Sequence, residues 1–330
     1  MKIFTLAFFA SLCIFTAHGE EREISIPNGK INLAGTLSLP QGNARAVAVM
    51  ATGSGPQNRD EEIAGHKPFK LISDSLASHG IAVLRLDDRG TASSTGDFST
   101  ATLEDLTSDI AAGLEYARKF FPDIPKGVIG HSQGGSIAIK LGADSKCDYI
   151  VTLAAPAWAG DSLIMSQSRT LATALTGRWD AEPLQRKLMD IAKEPSPDFQ
   201  AQMMLYTTMA QAYGDAAKTS QVQDYITKQT AALVSPGYRS MLRYNPEDDI
   251  RNISIPWLAL NGSKDMQVLP SNLETIKKLN GNATTKELPG LNHLFQNCTT
   301  GLPDEYEKIA EDFSPSAITE ITDWFNIILP

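Results

Sequence analysis

The stretch that most constrains this fold is 130–135, Gly-His-Ser-Gln-Gly-Gly, in which Ser132 stands between glycines. A short apolar run at 127–129 precedes it, and a helical pattern follows at 136–141. A G-x-S-x-G sequence at a strand-to-helix junction is typical of a nucleophile elbow, a turn that holds the serine Oγ clear of the sheet. Glycines on either side let the strand and the helix approach closely. The stretch therefore predicts Ser132 as a nucleophile, the alternative being a glycine-rich turn without chemistry.

Strand patterns alternate with helical patterns along most of the chain. Strands are predicted at 23–27, 31–39, 46–51, 81–86, 127–129, 149–153, 255–260 and 284–288, and helices at 69–78, 102–121, 136–141, 271–279 and 315–328. Asn28-Gly29 between the first two strands is a strong hairpin signal. Thr102 with Asp105 has the spacing of a capping box. Such alternation predicts the α/β class, with a mostly parallel sheet of about eight strands covered by helices on both faces.

The alternation breaks between about 157 and 249, where no convincing strand pattern occurs. Helices are predicted there at 161–175, 182–192 and 197–212. We therefore expect residues 157–250 to form a helical cap inserted between two parts of one core, 20–156 and 251–330.

The predicted cap should lie over Ser132, because ligands bind at the carboxyl ends of the strands in open α/β sheets. Six of the nine methionines fall in the cap: Met165, Met189, Met203, Met204, Met209 and Met241. Methionine-rich surfaces are adaptable, so these side chains, with Trp158, Trp179 and Tyr206, could supply an apolar acyl pocket. The alternative is that the methionines fill the core of a small helical unit.

The first nineteen residues are typical of a signal peptide. Met1-Lys2 gives a positively charged start, an apolar run occupies 3–16, and Ala17-His18-Gly19 resembles a cleavage site. The apolar run is too short to span a bilayer comfortably, although an N-terminal membrane anchor remains the alternative. We expect a signal peptide at 1–19 and an exported protein, periplasmic or secreted, without a stable membrane anchor.

Charge and cysteine content limit the partners and cofactors. The net charge is −9 and no basic stripe occurs, so nucleic acid is excluded as a partner. Cys147 and Cys298 remain after the predicted cleavage, and an oxidising compartment favours a disulfide. Cys147 precedes a predicted strand whereas Cys298 follows a strand-end loop, so we expect them at opposite ends of the sheet and unpaired. No spacing suggests zinc, and we expect neither a metal nor a cofactor.

Chain order selects the partners of Ser132. On an elbow of this kind the order is serine, then Asp or Glu, then histidine. Of the five histidines, His293 alone lies downstream of Ser132, in a loop after a predicted strand. Asp265 alone follows a clear buried strand through a glycine-containing turn. Asp265 would accept from Nδ1 of His293 and so fix its tautomer, the alternative being a simple turn residue.

Two backbone N–H groups are candidates for an oxyanion hole. The N–H of Gln133 sits at a predicted helix N-terminus, where the helix dipole favours a developing negative charge. The second donor should come from the loop after the strand at 46–51, and the N–H of Ser54 is the candidate. The alternative for that loop is a glycine-rich turn alone.

Together these segments resemble serine hydrolases of the α/β-hydrolase superfamily, close to bacterial esterases that carry a GSGPxDRDE-like segment. That segment lies here at 53–61, and the further matching segments are 88–90, 130–135, 262–268 and 292–296. The resemblance covers the mature chain except the predicted cap, and it implies the α/β-hydrolase fold. It also implies a triad of Ser132, Asp265 and His293, with Ser54 and Gln133 forming the oxyanion hole.

One position departs from the pattern: Thr52 stands where many relatives have histidine. That residue usually braces the oxyanion loop, so different hydrogen bonding is expected there. Arg59 and Asp60 are expected to pair with each other and hold the loop.

These observations predict an exported carboxylic-ester hydrolase that cleaves small-molecule esters of short to medium acyl chains through an acyl-enzyme. A serine aminopeptidase or another acyl hydrolase on the same triad is the alternative. A non-catalytic binding module on this fold is a further alternative, against which the intact triad argues. The oligomeric state does not follow from the sequence.

Overall fold

Eight strands form one sheet in the computed structural model, which describes residues 19–329. The predicted signal peptide falls almost wholly on 1–18, outside the described residues. The strands are β1 (Glu21–Asn28), β2 (Ile31–Ser38), β3 (Ala46–Ala51), β4 (Ile81–Leu86), β5 (Lys126–His131), β6 (Tyr149–Leu153), β7 (Trp257–Gly262) and β8 (Thr284–Leu288). Their order across the sheet is β1-β2-β4-β3-β5-β6-β7-β8.

The sheet is antiparallel at one edge and parallel elsewhere. β1 and β2 form the predicted hairpin, with Asn28 paired to Ile31 and Gly29 at a φ of 60°. β2 also pairs antiparallel with β4, and the remaining neighbours are parallel. Every residue of β3 to β7 is buried, which explains their continuous apolar runs.

The described chain also contains eleven α-helices. They are α1 (Pro68–Ser78), α2 (Leu103–Phe120), α3 (Gln133–Ala143), α4 (Gly160–Thr176), α5 (Glu182–Lys193), α6 (Asp198–Tyr213), α7 (Ser220–Leu233), α8 (Pro236–Arg243), α9 (Glu247–Asn252), α10 (Ser271–Leu279) and α11 (Pro315–Ile328). No helix within residues 19–329 is both long and apolar enough to cross a membrane.

Helices cover both faces of the sheet, as the sequence predicts. Alternate side chains of β3 enter two separate cores, with Val49 in one and Met50 in the other. The first core receives α2, α3, α9 and α10, and the second receives α1 and α11. α2 begins at the predicted capping box, in which Thr102 and Asp105 each accept from the other's backbone N–H.

Between β6 and β7 the described chain contains helices and no strand. α4 to α8 pack around small apolar clusters of their own, one of which contains Met165, Met189 and Leu242. α9 differs from them, because Ile250 belongs to the core beside the sheet. The predicted helices at 161–175, 182–192 and 197–212 correspond to α4, α5 and α6.

Among residues 19–329, Cys147 and Cys298 are both free thiols. Cys147 is buried immediately before β6, and Cys298 lies in the loop after β8, where its Sγ contacts the Gly290 carbonyl.

Candidate active site

Ser132 lies in the turn between β5 and α3, with φ 52° and ψ −115°. A non-glycine residue in this region of backbone space carries strain of about 1–3 kcal/mol. The flanking glycines explain how the turn fits. A Cβ on Gly130 would lie 2.0 Å from the Gly134 carbonyl oxygen, and one on Gly134 would lie 2.0 Å from that of Ala51. The elbow predicted from the sequence is therefore present, and it raises Ser132 at the carboxyl end of β5.

Asp265 and His293 meet as predicted. Asp265 follows β7, and its Oδ2 lies 2.8 Å from Nδ1 of His293, with both side chains almost completely buried. The other oxygen of the carboxylate accepts the backbone N–H groups of Gln267 at 2.8 Å and Val268 at 2.9 Å. These bonds fix the carboxylate, which in turn fixes the histidine ring and leaves Nε2 as its basic nitrogen.

The loop after β8 is folded around His293. Asn292 Oδ1 accepts the N–H groups of Leu294 and Gln296, and Phe295 has a positive φ of 59°. Among residues 19–329, no hydrogen bond joins the Ser132 hydroxyl to His293. Contacts of this kind are often long in ligand-free sites and tighten when substrate binds.

Both candidate oxyanion donors are available. The N–H groups of Ser54 and Gln133 have no acceptor within the described part of the chain, and both residues border the same cavity as Ser132. Gln133 is the first residue of α3, where backbone N–H groups lack intrahelical partners.

Thr52 braces the loop that carries Ser54. Its hydroxyl donates to Asp88 Oδ1 at 2.8 Å, and the N–H of Gln57 donates to Asp88 Oδ2 at 2.9 Å. Burial raises the pKa of Asp88 to about 7, and the nearby carboxylate of Glu61 acts in the same direction. A threonine therefore connects this loop to a half-buried acid.

The expected pairing of Arg59 with Asp60 is wrong. Arg59 binds Asp87 at 2.8 Å and Glu23 at 2.6 Å, whereas Asp60 pairs with Arg85 of β4. The Arg85 side chain is only 2% exposed, and a buried guanidinium needs an anionic partner. Arg59 and Asp60 thus each pair with a different buried charge, Asp87 for one and Arg85 for the other.

Sequence reasoning missed two residues next to the site, Glu61 and His131. His131 Nδ1 lies 2.8 Å from Glu61 Oε1, and its Nε2 lies 2.9 Å from the backbone carbonyl oxygen of His293. Glu61 Oε1 also accepts the N–H of Gly53 at 2.6 Å. A separation of 70 positions gives no sequence pattern, so only the fold reveals the pair.

Ser132 borders a cavity of about 120 Å³ between the sheet and the inserted helices. Its lining is mostly apolar: Leu103, Pro156, Trp158, Gly160, Leu163, Ile164, Met241, Tyr244 and Val268. The polar lining residues are uncharged: Ser54, Ser132, Gln133, Ser136, Gln167 and Gln267. Within residues 19–329, no three histidine, cysteine or acidic side chains are grouped so as to hold a metal ion.

Direct hydrogen bonds join the inserted helices to the core beside this cavity. Gln167 of α4 donates to Gln267 at 3.1 Å, and Gln267 donates to the Tyr306 hydroxyl at 3.0 Å. Trp158 donates to Thr275 of α10 at 2.9 Å. Of the aromatic and methionine side chains expected in an acyl pocket, Trp158 and Met241 line the cavity, whereas Met203 and Met204 are exposed.

Comparison with known proteins places this chain in a family. Residues 67–297 match the model of a hydrolase family described as serine aminopeptidase, S33. Esterase EstD of Thermotoga maritima is 27% identical over 321 residues, which is 92% of this chain and 67% of the relative.

Solved structures support the fold. An esterase of Pyrococcus furiosus, Pf2001, superimposes with a TM-score of 0.58 at 14% identity, over 94% of this chain and 92% of that one. Est1E of Butyrivibrio proteoclasticus, with ferulic acid bound, gives 0.55 at 16% identity, over 93% and 98% of the two chains. XC6422 of Xanthomonas campestris, an α/β serine hydrolase without a lid, gives 0.52 at 15%, over 94% and 96%. The α/β-hydrolase fold predicted from the sequence is confirmed.

Proposed function

We propose that this chain, which belongs to the hydrolase family described as serine aminopeptidase, S33, is a carboxylic-ester hydrolase that works through an acyl-enzyme. Ser132 is the nucleophile, His293 the general base and Asp265 the acid that orients it. The main support is the position of Ser132, strained on its elbow beside an apolar cavity that Ser54 and Gln133 also border. Within residues 19–329, the backbone N–H groups of these two residues have no acceptor.

The reaction begins when Ser132 Oγ attacks the ester carbonyl and transfers its proton to Nε2 of His293. The carbonyl oxygen becomes an oxyanion, which accepts from the N–H groups of Ser54 and Gln133. His293 then gives the proton to the departing alkoxide, which leaves as the alcohol. A water molecule, deprotonated by His293, cleaves the acyl-enzyme, and the returned proton restores the serine as the acid departs. Asp265 stabilises the imidazolium in both steps.

Cavity size favours short acyl chains. An apolar cavity of about 150 Å³ holds a benzene molecule. The cavity beside Ser132, at about 120 Å³, is slightly smaller. We therefore propose that the acyl group lies among Leu163, Ile164 and Met241.

A serine aminopeptidase is the second candidate, favoured by the description of the family. Such an enzyme must hold the α-ammonium group of its substrate, and a buried ammonium needs an anionic or multiply hydrogen-bonded partner. The lining residues of the cavity include no carboxylate. Esters are therefore the better substrates, in keeping with the esterase activity in the name of the Thermotoga maritima relative.

Labelling and a substrate panel test this function. A fluorophosphonate should label the wild-type protein at Ser132, and Ser132→Ala should abolish labelling. Ser132→Ala or His293→Ala should lower kcat for p-nitrophenyl esters by about 10⁴-fold or more. Preference for aminoacyl anilides over esters would select the aminopeptidase, and labelling that survives Ser132→Ala would refute the assignment.

We also propose that residues 1–19 direct export and are removed, so that the protein works in the periplasm or outside the cell. The positive start, apolar run and small residues before Glu20 support this. N-terminal sequencing of protein from the periplasmic and extracellular fractions should give a chain starting at Glu20. Recovery of the intact chain in the membrane fraction would favour an N-terminal anchor.

A further inference from the structure

We infer that Glu61 and His131 form a buried ion pair that positions both halves of the active site, the oxyanion loop and the general base. This inference rests on the proposed function and deepens it. Neither residue touches the reacting atoms, so both are positioning residues. One hydrogen bond joins the two side chains to each other. Two more reach the backbone of Gly53, which precedes Ser54, and that of His293.

The protonation of the pair follows from its hydrogen bonds. Glu61 Oε1 faces Nδ1 of His131 and also accepts the N–H of Gly53. As a carboxylate oxygen, Oε1 accepts from both neighbours. The other ring nitrogen, Nε2, faces the His293 carbonyl, which can only accept. Both nitrogens of His131 must then carry protons, which makes the ring an imidazolium beside a carboxylate.

Electrostatics support the same assignment. Burial by itself lowers the pKa of His131, but the charge and hydrogen bond of Glu61, with the His293 carbonyl, raise it above the ordinary histidine value. The side chains are only 6% and 1% exposed. Charge-assisted hydrogen bonds of this kind are about twice as strong as neutral ones. The buried ion pair therefore holds the backbone of Gly53 and of His293 firmly in place.

Each contact of the pair constrains a different part of the site. The bond from Gly53 to Glu61 orients the turn that presents the N–H of Ser54. The bond from His131 to the His293 carbonyl fixes the backbone that carries the base, and the two rings lie 4.8 Å apart between centroids. His131 also directly precedes Ser132 in the chain. The positions of the nucleophile, the base and the oxyanion donor therefore all depend on the His131–Glu61 pair.

Backbone strain falls on one member of the pair. Glu61 has a positive φ of 52°, a region that side-chain-bearing residues rarely adopt. Strain of this kind persists where the surroundings over-determine the conformation, and it is concentrated at functional sites.

A matched control exists in the same chain. His66 has a carboxylate of Asp312 at its Nδ1, 2.7 Å away, and the carbonyl of Tyr306 at its Nε2, 2.8 Å away. This bonding pattern equals that of His131, but the carbonyl it holds is not that of the base. His66→Asn therefore measures the effect of losing such a structural tie.

The experiment compares Glu61→Gln, His131→Asn, their double variant and His66→Asn, using kcat and KM for a short p-nitrophenyl ester and thermal unfolding. Glu61→Gln and His131→Asn should each lower kcat by about 100-fold through misplacement of base and oxyanion donor, with KM little changed. The double variant should lose no more kcat than either single variant, because the pair acts as a unit. His66→Asn should lower the melting temperature while kcat stays near the wild-type value.

Folded Glu61→Gln and His131→Asn proteins with wild-type kcat, or losses that simply add in the double variant, would overturn the inference. If His131→Asn does not fold, Glu61→Gln still decides, since it keeps the size of the side chain and an acceptor for Gly53. The proposed function is judged separately by the wild-type protein and Ser132→Ala. An inactive wild-type protein would refute both proposals. An active wild-type protein whose Glu61→Gln and His131→Asn variants keep the wild-type kcat would refute only the proposed role of the pair.

Discussion

Asp88 shows how one half-buried side chain makes stability depend on pH. Burial raises its pKa to about 7, from an ordinary aspartate value of about 3.9 in the unfolded chain. Between these values the folded state binds the proton more tightly, so the contribution of Asp88 to stability is complete at low pH and is lost as the pH rises through 7.

Asp88→Asn should remove that dependence. The free energy of unfolding of the wild-type protein, minus that of the variant, should fall as the pH rises from about 4 to 8, by at most about 4 kcal/mol for a three-unit shift. Denaturant unfolding at pH 4.5, 6 and 8 measures the difference. A difference that is constant over this range would show that Asp88 titrates at its ordinary value.

The two thiols give a second test with single side chains. Burial raises the pKa of Cys147 to about 12, and burial also raises the pKa of Cys298. Because the thiolate is the reactive form, both should react slowly with iodoacetamide in the native protein, and Cys147 more slowly. In denaturant without reductant both should be alkylated. A mass lower by two hydrogens, with no alkylation, would reveal a disulfide instead.

At the scale of elements, the cap of α2 is a local feature that the sequence already displays. Thr102 accepts the N–H of Asp105, whose side chain accepts the N–H of Thr102. Thr102→Ala should therefore lower the free energy of unfolding by about 1 kcal/mol, whereas Thr102→Ser, which keeps the oxygen, should lower it much less. Chemical denaturation of the three proteins gives the comparison, and equal stability of all three would contradict it.

Structural features were predictable from the sequence where they depend on residues that are close together in the chain. The elbow, the hairpin at Asn28-Gly29 and the capping box of α2 each depend on a few adjacent residues, and all three are present. The contact of Asp265 with His293 was also predictable, because chain order and strand ends restrict the choice.

Contacts between distant charges were not predictable. Arg59 and Asp60 are adjacent in sequence, yet the fold offers each a more buried partner, Asp87 for one and Arg85 for the other. Glu61 and His131 lie 70 positions apart, and their pairing depends on how the loop after β3 crosses the elbow. The tertiary structure determines which charged side chains pair, and short sequence patterns do not reveal those pairings.

At the scale of the whole molecule, the site is assembled from four neighbouring parallel strands. Ser132 follows β5, the inserted helices follow β6, Asp265 follows β7 and His293 comes after β8. Ligands bind at the carboxyl ends of strands in such sheets. The insertion therefore emerges beside the proposed nucleophile, and its helices α4 and α8 contribute to the cavity through Leu163, Ile164 and Met241.

This arrangement predicts that the inserted helices set the acyl-chain preference. Met241→Ala removes side-chain volume from a cavity of about 120 Å³, so longer acyl chains should gain relative to short ones. One methylene in an apolar pocket is worth about 1–3 kcal/mol, so the ratio of kcat/KM between hexanoate and acetate esters should rise by about 10-fold or more. Met203→Ala is the matched control, because Met203 is 55% exposed and lies outside the lining. A ratio unchanged by Met241→Ala, or changed equally by Met203→Ala, would show that the acyl chain binds elsewhere.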